Sequence, residues 1–503
     1  MPARHPRSQN GESAGRSPTS GGDGMRPARQ QGGTVVSDEL FYASAEALLD
    51  GYRKKDLSPV EATQAALDRI EEKNEAINAF NLIAEDSALD EARASEARWA
   101  RGEPQGRLDG VPVSIKDLVL TEGWPTLKGS LTVDPAGPWT EDAPCVARLR
   151  EHGAVLVGKT TTPELGWKGI TDSALTGITR NPWNLDKTPG GSSGGASAAL
   201  AAGMAPLAIG SDGGGSIRIP AGFTGVFGIK ANFGRVPAYP ESVMRSVSHV
   251  GPMSRTVADA ALMLTVISEP DDRDWTALPY QGIDFSDGLD AGVAGLRVAY
   301  SRDLGYADVD TEVLAVVDEA VRAFEDLGAH VEARDPGFAN PKAMFKTHWW
   351  AGAAGGLANL PAEAKAKLEP ELLQIVEEGQ ALPILDYMTA MAQRTELCLH
   401  MRRFHQDFDL LLTPSLAVPA FDVGLLKPPG RPEDDTYWTD WTPFSFPFNL
   451  TQQPACSIPC GFTADGLPVG LQIVGPNFRE DMVLRAARAF EMARPIDRRP
   501  PGF

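Results

Sequence analysis

The sequence predicts an α/β fold on three observations. Short apolar runs alternate with helix-length amphipathic stretches, glycine and proline punctuate the junctions between them, and the composition is that of a globular chain. The 503 residues include 51 Gly and 40 Pro, with 42% hydrophobic and 23% charged residues. That balance can bury a large core and excludes disorder for most of the chain. Order is expected from near Ser37. Ser58, Pro59 and Glu61 then make a capping box with proline in the first turn, and Ala62, Ala66, Leu67 and Ile70 continue at helical spacing. A second helix follows over 87–100, a strand over 111–115, a helix over 143–151, a strand over 154–157, and a helix with a Gly-rich start near Gly194. The later pattern repeats this: strand 296–300, helix 311–327, strand 410–412, helix 481–492. The Ala/Gly-rich run 196–209, interrupted by Gly203 and Pro206, reads as a buried helix followed by a strand. Stretches 269–287 and 424–435 are Pro/Gly/Asp-rich loops placed to border a site.

Charge and cysteine usage exclude several classes of function. Lys plus Arg is 47 and Asp plus Glu is 67, a formal charge of −20. So acidic a surface repels phosphate backbones, so no nucleic-acid partner and no anionic membrane is expected. No apolar run reaches the length of about 18 residues that a span requires. Cys145, Cys398, Cys456 and Cys460 have neither disulfide-framework nor zinc spacing and read as reduced thiols in a cytoplasmic protein, the last two as packing in a strand-like segment. The seven His include no HExxH pair, so no metal is expected. Residues 1–36 are Arg-, Gly- and Ser-rich without an apolar stretch, and are expected to be a disordered tail rather than a secretory signal, with Met25 as an alternative start. A length prior of about 150 residues per domain gives about three domains.

Two familiar motifs match in letters only. Gly153, Gly158, Lys159 and Thr160 fit GxxxxGKT, but the intervening Ala154, Val155, Leu156 and Val157 read as a buried strand rather than a phosphate-cradling loop. Gly191, Ser193 and Gly195 fit the GxSxG nucleophile elbow, which needs a buried strand before the serine, whereas residues 181–189 are a polar loop.

A third constellation carries more chemistry: Lys116 after an apolar strand, the Gly/Ser run 190–195, and the run 212–218 that contains Gly213, Gly214, Gly215 and Ser216. Consecutive glycines can turn their N–H groups toward one point while a carbonyl approaches, which is how an oxyanion hole is built. A serine nucleophile needs a base, and with no His near either turn Lys116 is the candidate. A free lysine of pKa about 10.4 is neutral roughly once in 2,500 at pH 7, a deficit near 4.6 kcal/mol. Burial can depress a lysine by up to about 3 to 5 units and remove most of that deficit. The alternative is a Lys116 paired with Asp117 or another carboxylate.

With these residues assembled, the chain resembles the amidase signature family over roughly 44–493, including 108–117, 153–160, 181–183, both Gly/Ser turns and 228–237. The resemblance implies one α/β domain over 37–503, with a mixed, twisted central sheet wrapped by helices, in place of three domains. It implies a Ser-Ser-Lys triad: Ser216 as the nucleophile that forms an acyl-enzyme, Ser192 as the relay serine preceded by a cis peptide, and Lys116 as the base. Gly213, Gly214 and Gly215 match the oxyanion-hole backbone, Ser193 a supporting hydrogen bonder, and Asp212 and Arg218 a brace for the nucleophile turn. Lys159 and Lys230 are expected to hold carbonyls or carboxylates beneath the site. The implied function is hydrolysis of carboxylic amides, hydrophobic or aryl ones first, with carbamates and esters sharing the geometry, as in aryl acylamidases and nylon-oligomer hydrolases. No cofactor is implied; the partner is a small-molecule amide, and the candidate assembly is a homodimer. The alternative within the family is the glutaminase component of a glutamine-dependent tRNA amidotransferase, its A subunit. The YDGVRYG and RRIMLG segments of that protein are missing, and Ala231 departs from its Lys-Pro-Thr. His348, Trp349, Trp350, Tyr387, Trp438, Trp441, Phe444, Phe446 and Phe448 are expected to line an apolar substrate pocket.

Overall fold

A local signal fixes the start of the first long helix. In the computed structural model, which describes residues 38–430, 437–496 and 498–503, Ser58 caps the helix Pro59–Ile77 through a complete capping box with Glu61. Helices Glu85–Arg101, Pro144–Glu151, Gly194–Ala201, Thr311–Asp326 and Glu480–Ala493 follow the expected segments to within about two residues. The expected tail over 1–36 and part of the 424–435 loop lie outside the described residues. Helices Lys342–Leu357, Pro370–Ala381 and Ile384–Asp407 fill a middle region that the sequence pattern left unassigned. No helix among the described residues is long and apolar enough to cross a membrane.

Thirteen strands are described: β1 Phe80–Ile83, β2 Pro112–Lys116, β3 Val155–Thr160, β4 Asp172–Ser173, β5 Gly177–Ile178, β6 Leu207–Asp212, β7 Phe227–Lys230, β8 His249–Ser254, β9 Arg297–Tyr300, β10 His330–Ala333, β11 Leu410–Pro414, β12 Ala455–Phe462 and β13 Pro468–Val474. β4 and β5 make a separate hairpin; the other eleven form one sheet in the order β1-β3-β2-β6-β8-β7-β12-β13-β11-β9-β10. β2 runs parallel to β3 and β6, β9 parallel to β10 and β11, and the remaining pairs are antiparallel, so the sheet is mixed.

Because successive side chains of a strand point to opposite faces, alternate residues sort into two cores. Val113 and Ile115, Leu207 and Ile209, Leu410 and Leu412, Cys456 and Ile458, and Leu471 and Ile473 share one face with residues of helices Val257–Ile267, Thr311–Asp326 and Glu480–Ala493. Their neighbours Ala208, Leu411, Ala455 and Val474 pack on the other. There Ala208 meets Ala196, Leu200 and Ala221, which belong to helices Gly194–Ala201 and Arg218–Thr224. Ser114 and Lys116 have the parity of this second face. Lys116 and Asp212 end the adjacent parallel strands β2 and β6, and the carboxyl ends of parallel strands are where open α/β sheets bind ligands.

Candidate active site

Lys116 is completely buried. Its Nζ lies 2.8 Å from Ser192 Oγ, 2.8 Å from Ser193 Oγ and 3.0 Å from Ser211 Oγ. The alternative pairing with Asp117 is absent: that carboxylate accepts from Asn81 Nδ2 at 2.9 Å and from the Leu127 N–H at 3.1 Å. Burial, only partly opposed by the negative charge of Asp212, pulls the Lys116 ammonium well below its ordinary 10.5. An amine among hydroxyls rather than carboxylates has nothing adjacent to hold its proton.

Ser192 and Ser193 lead into helix Gly194–Ala201, and the Gly191–Ser192 peptide is cis. Ser193 donates its N–H to Ser216 O at 3.2 Å and its hydroxyl to Ser211 O at 3.2 Å, tying the two Gly/Ser turns together. Residues 181–189, ahead of the turn, are loop rather than strand, so no nucleophile elbow is built at Ser193. In the GxxxxGKT match, Gly158, Lys159 and Thr160 are part of β3. Lys159 Nζ donates to Val119 O and Thr126 Oγ1, and Lys230 Nζ to the carbonyls of Ala231 and Gln453. Both lysines stitch backbone together beneath the site.

The turn after β6 is held by one buried carboxylate. Asp212 Oδ1 accepts from the Gly215 N–H at 2.7 Å, and Oδ2 from the Ile217 N–H at 3.2 Å. Burial alone would raise this carboxyl; the Arg218 guanidinium outweighs burial and holds it well below the usual carboxylate range. Arg218 is itself fully buried. It donates to both Asp212 oxygens at 3.0 Å, to Asn449 Oδ1 at 2.7 Å, to Gln472 Oε1 at 2.8 Å and to Ser445 O at 3.0 Å.

This brace corrects one expectation. The Gly215 N–H is spent on Asp212 and is not free to meet an oxyanion; those of Gly213, Gly214 and Ser216 donate to no acceptor among the described residues. Gly215 instead answers to backbone shape: its φ is +128°, and a Cβ there would lie 2.5 Å from Ser445 Oγ. No hydrogen bond joins Ser192 Oγ to Ser216 Oγ among the described residues. Both line the same cavity of about 320 Å³, as do Ser211 and Gly213.

The aromatic expectation is corrected as well. Of the nine residues expected to line the pocket, only Trp349 reaches this cavity. Trp350, Trp438, Trp441 and Phe446 are buried with it in one cluster, Phe444 and Phe448 in another, and the His348 and Tyr387 rings, with centroids 5.5 Å apart, line a different cavity from that of Ser192 and Ser216. The cluster presses on the turn after β6: a Cβ on Gly214 would lie 2.5 Å from Trp438 and 2.7 Å from Phe345, and one on Gly213 2.9 Å from Trp349. These rings support the turn, while Leu118, Leu165, Trp167, Met244 and Leu372 supply much of the apolar cavity wall.

Sequence reasoning passed over Ser211, Ser445, Asn449 and Gln472. The signal for Asn449 and Gln472 was present, since each is a lone amide inside an apolar run, and buried amides demand partners. Ser211 could have been found as the hydroxyl next to Asp212 at the end of an apolar strand.

A family model described as Amidase matches residues 61–484. The chain belongs to the amidase family. It is 38% identical over 475 residues to an acylamidase of Rhodococcus erythropolis, covering 93% of this chain and 98% of the relative. It is also 37% identical over 490 residues to the A subunit of a glutamyl-tRNA(Gln) amidotransferase from Moorella thermoacetica, covering 92% and 99%. Among solved structures, a bacterial aryl acylamidase of the amidase signature family superposes with a TM-score of 0.85 at 31% identity, covering 91% of this chain and 98% of the other. This amidase is accordingly an amide-hydrolysing enzyme built as a single mixed α/β domain.

Proposed function

We propose that this amidase hydrolyses hydrophobic carboxylic amides, aryl amides among them, through an acyl-enzyme on Ser216. The observation that carries the reading is the buried Lys116 amine within 2.8 Å of Ser192 Oγ at the edge of an apolar cavity that also holds Ser216. A neutral amine has two N–H donors and one lone pair, so among three hydroxyls it donates twice and accepts once. Ser192 is then able to offer its proton to Lys116 while taking that of Ser216 as the Ser216 oxygen attacks the carbonyl carbon. The developing oxyanion faces the N–H groups of Gly213, Gly214 and Ser216. As the C–N bond breaks, the proton returns along the same path to the leaving nitrogen. Water, deprotonated by the same relay, then attacks the ester and frees the acid, and Ser216 recovers its proton. The four cysteines are all free thiols, which supports a cytoplasmic place of action.

The test is to incubate the purified chain alone with a hydrophobic anilide, with glutamine and with ATP, beside a Ser216→Ala variant. Aniline release by the wild type and none by the variant is the expected result. Glutamine hydrolysis without anilide cleavage would replace this reading by that of an amidotransferase component, ATP turnover would revive the GxxxxGKT match, and cleavage retained by Ser216→Ala would place the nucleophile elsewhere.

A further inference from the structure

The cavity that holds Ser192 and Ser216 also holds a lysine that the proposed reaction does not use. Lys128 lies on the loop between β2 and helix Pro144–Glu151 and lines the same cavity. Its loop is pinned at several points. The Lys128 carbonyl accepts from the Leu165 N–H at 2.7 Å, the Leu127 N–H is taken by Asp117, and Ser130 Oγ donates to Glu164 Oε1 at 2.7 Å. Lys128 itself has a φ of +57°, a backbone shape that an ordinary side chain adopts seldom and at some cost. The loop thus fixes where this side chain starts.

The Lys128 ammonium has no hydrogen-bond acceptor and no ion-pair partner among the described residues. The other lysines near the site differ. Lys116 meets three hydroxyls, Lys159 a carbonyl and a hydroxyl, Lys230 two carbonyls, and Lys168 the carboxylates of Asp172 and Glu369. Glu241, an acid on the same cavity wall, is bonded to Arg245. Burial lowers Lys128 from its ordinary value, and Asp117 opposes this without an ion pair. A half-buried cation without a counter-charge, beside Leu118, Leu120 and Leu165, is poorly solvated and poorly compensated. An anion brought to it gains a charge-assisted hydrogen bond where water competes least.

We propose that Lys128 gives the cavity a carboxylate subsite, so that the favoured amides carry an acid group on the portion that lies against this loop. The proposal rests on the amidase reading above and names its substrate class. Two substrate pairs decide which side of the scissile bond bears the acid: acetanilide against para-acetamidobenzoate, and butyranilide against the phenyl half-amide of succinic acid. In one of the pairs the wild type is expected to favour the carboxylated member in kcat/KM by about ten- to a hundredfold, the range of one hydrogen bond to a charged group. Lys128→Met should bring that ratio close to one, Lys128→Arg should keep most of it, and Lys128→Glu should invert it toward an aminomethyl-acetanilide. Ratios within one enzyme preparation are insensitive to partial misfolding. A wild type without preference in either pair, or a preference that survives Lys128→Met, would overturn the subsite while leaving the amidase reading intact. Glutamine hydrolysis with no anilide cleaved would overturn both.

Discussion

If Lys116 is neutral when folded, that state can be read from stability rather than from rate, through Lys116→Met. Methionine has similar volume and no charge, so the change removes the titrating group with little repacking. The unfolded chain holds the lysine proton up to the ordinary value of 10.5, whereas burial makes the folded protein release it at a pH well below that. Between those two values the unfolded state binds about one proton more than the folded state, so wild-type stability rises with pH by about 1.4 kcal/mol per unit relative to the variant. Below the folded value the difference is flat, and above 10.5 it is flat again at its maximum. The hydroxyls of Ser192, Ser193 and Ser211 lose a partner in the variant. That costs about 1 to 3 kcal/mol for each group left unsatisfied, but the cost does not vary with pH over this range. Urea unfolding of both proteins at half-unit steps across the neutral and alkaline range isolates the slope. In parallel, the wild-type rate should climb with pH along a limb well below 10.5, and Lys116→Met should lose about 100- to 10,000-fold in kcat/KM. Stability curves that stay parallel up to 10.5 would mean that folded Lys116 keeps its proton, and the proposed base would lose the form that accepts one.

Two further outcomes concern the turn that carries Ser216. Arg218→Met strips the buried Asp212 of its cation and should cost about 3 to 5 kcal/mol in urea unfolding at pH 7. Because the wild-type carboxyl is held below its unfolded value, this advantage is fully present above about pH 4 and is lost as pH falls further; a variant within 1 kcal/mol of the wild type at pH 7 would show that the pair does not brace the turn. Gly215→Ala drives a methyl group to 2.5 Å from Ser445 Oγ. A shift of about 1 Å at Ser216, the proposed nucleophile, is worth about a hundredfold in kcat, and an alanine variant with wild-type turnover would mean that the turn relaxes freely.

The fold was legible where physics acts locally. The capping box at Ser58 and the apolar runs 111–115, 154–157, 296–300 and 410–412 are determined by neighbours in sequence, and a helix and strands β2, β3, β9 and β11 begin within about a residue of where the pattern puts them. The limits of β3 were not, because the apolar run stops at Val157 while the strand continues through Gly158, Lys159 and Thr160. What makes them strand is pairing with β1 and β2, and a carbonyl and a hydroxyl that satisfy the Lys159 amine. Tertiary partners override local propensity in this way wherever a buried polar group finds its acceptor.

The same distinction explains the two corrections at the site. Glycines in series do suggest a ring of N–H donors, yet which of them stays free depends on Asp212, whose carboxylate reaches across the turn to Gly215 and is held in place by Arg218, itself fixed by Asn449 and Gln472 more than two hundred residues later. Aromatic density does mark the neighbourhood of the site, but sequence cannot say which face of a ring is turned to solvent. Here Trp438 and Phe345 approach Gly214 so closely that no side chain fits, and the flexibility that glycine gives the unfolded turn is removed by packing in the folded one. The glycines leave the backbone bare on the side of the cavity, and the rings keep it from moving away on the other. On the proposed mechanism, preorganisation of the N–H groups is therefore supplied by residues that do not need to touch the substrate, which is why the aromatic signal in the sequence marks the right place and, for most of its residues, the wrong task.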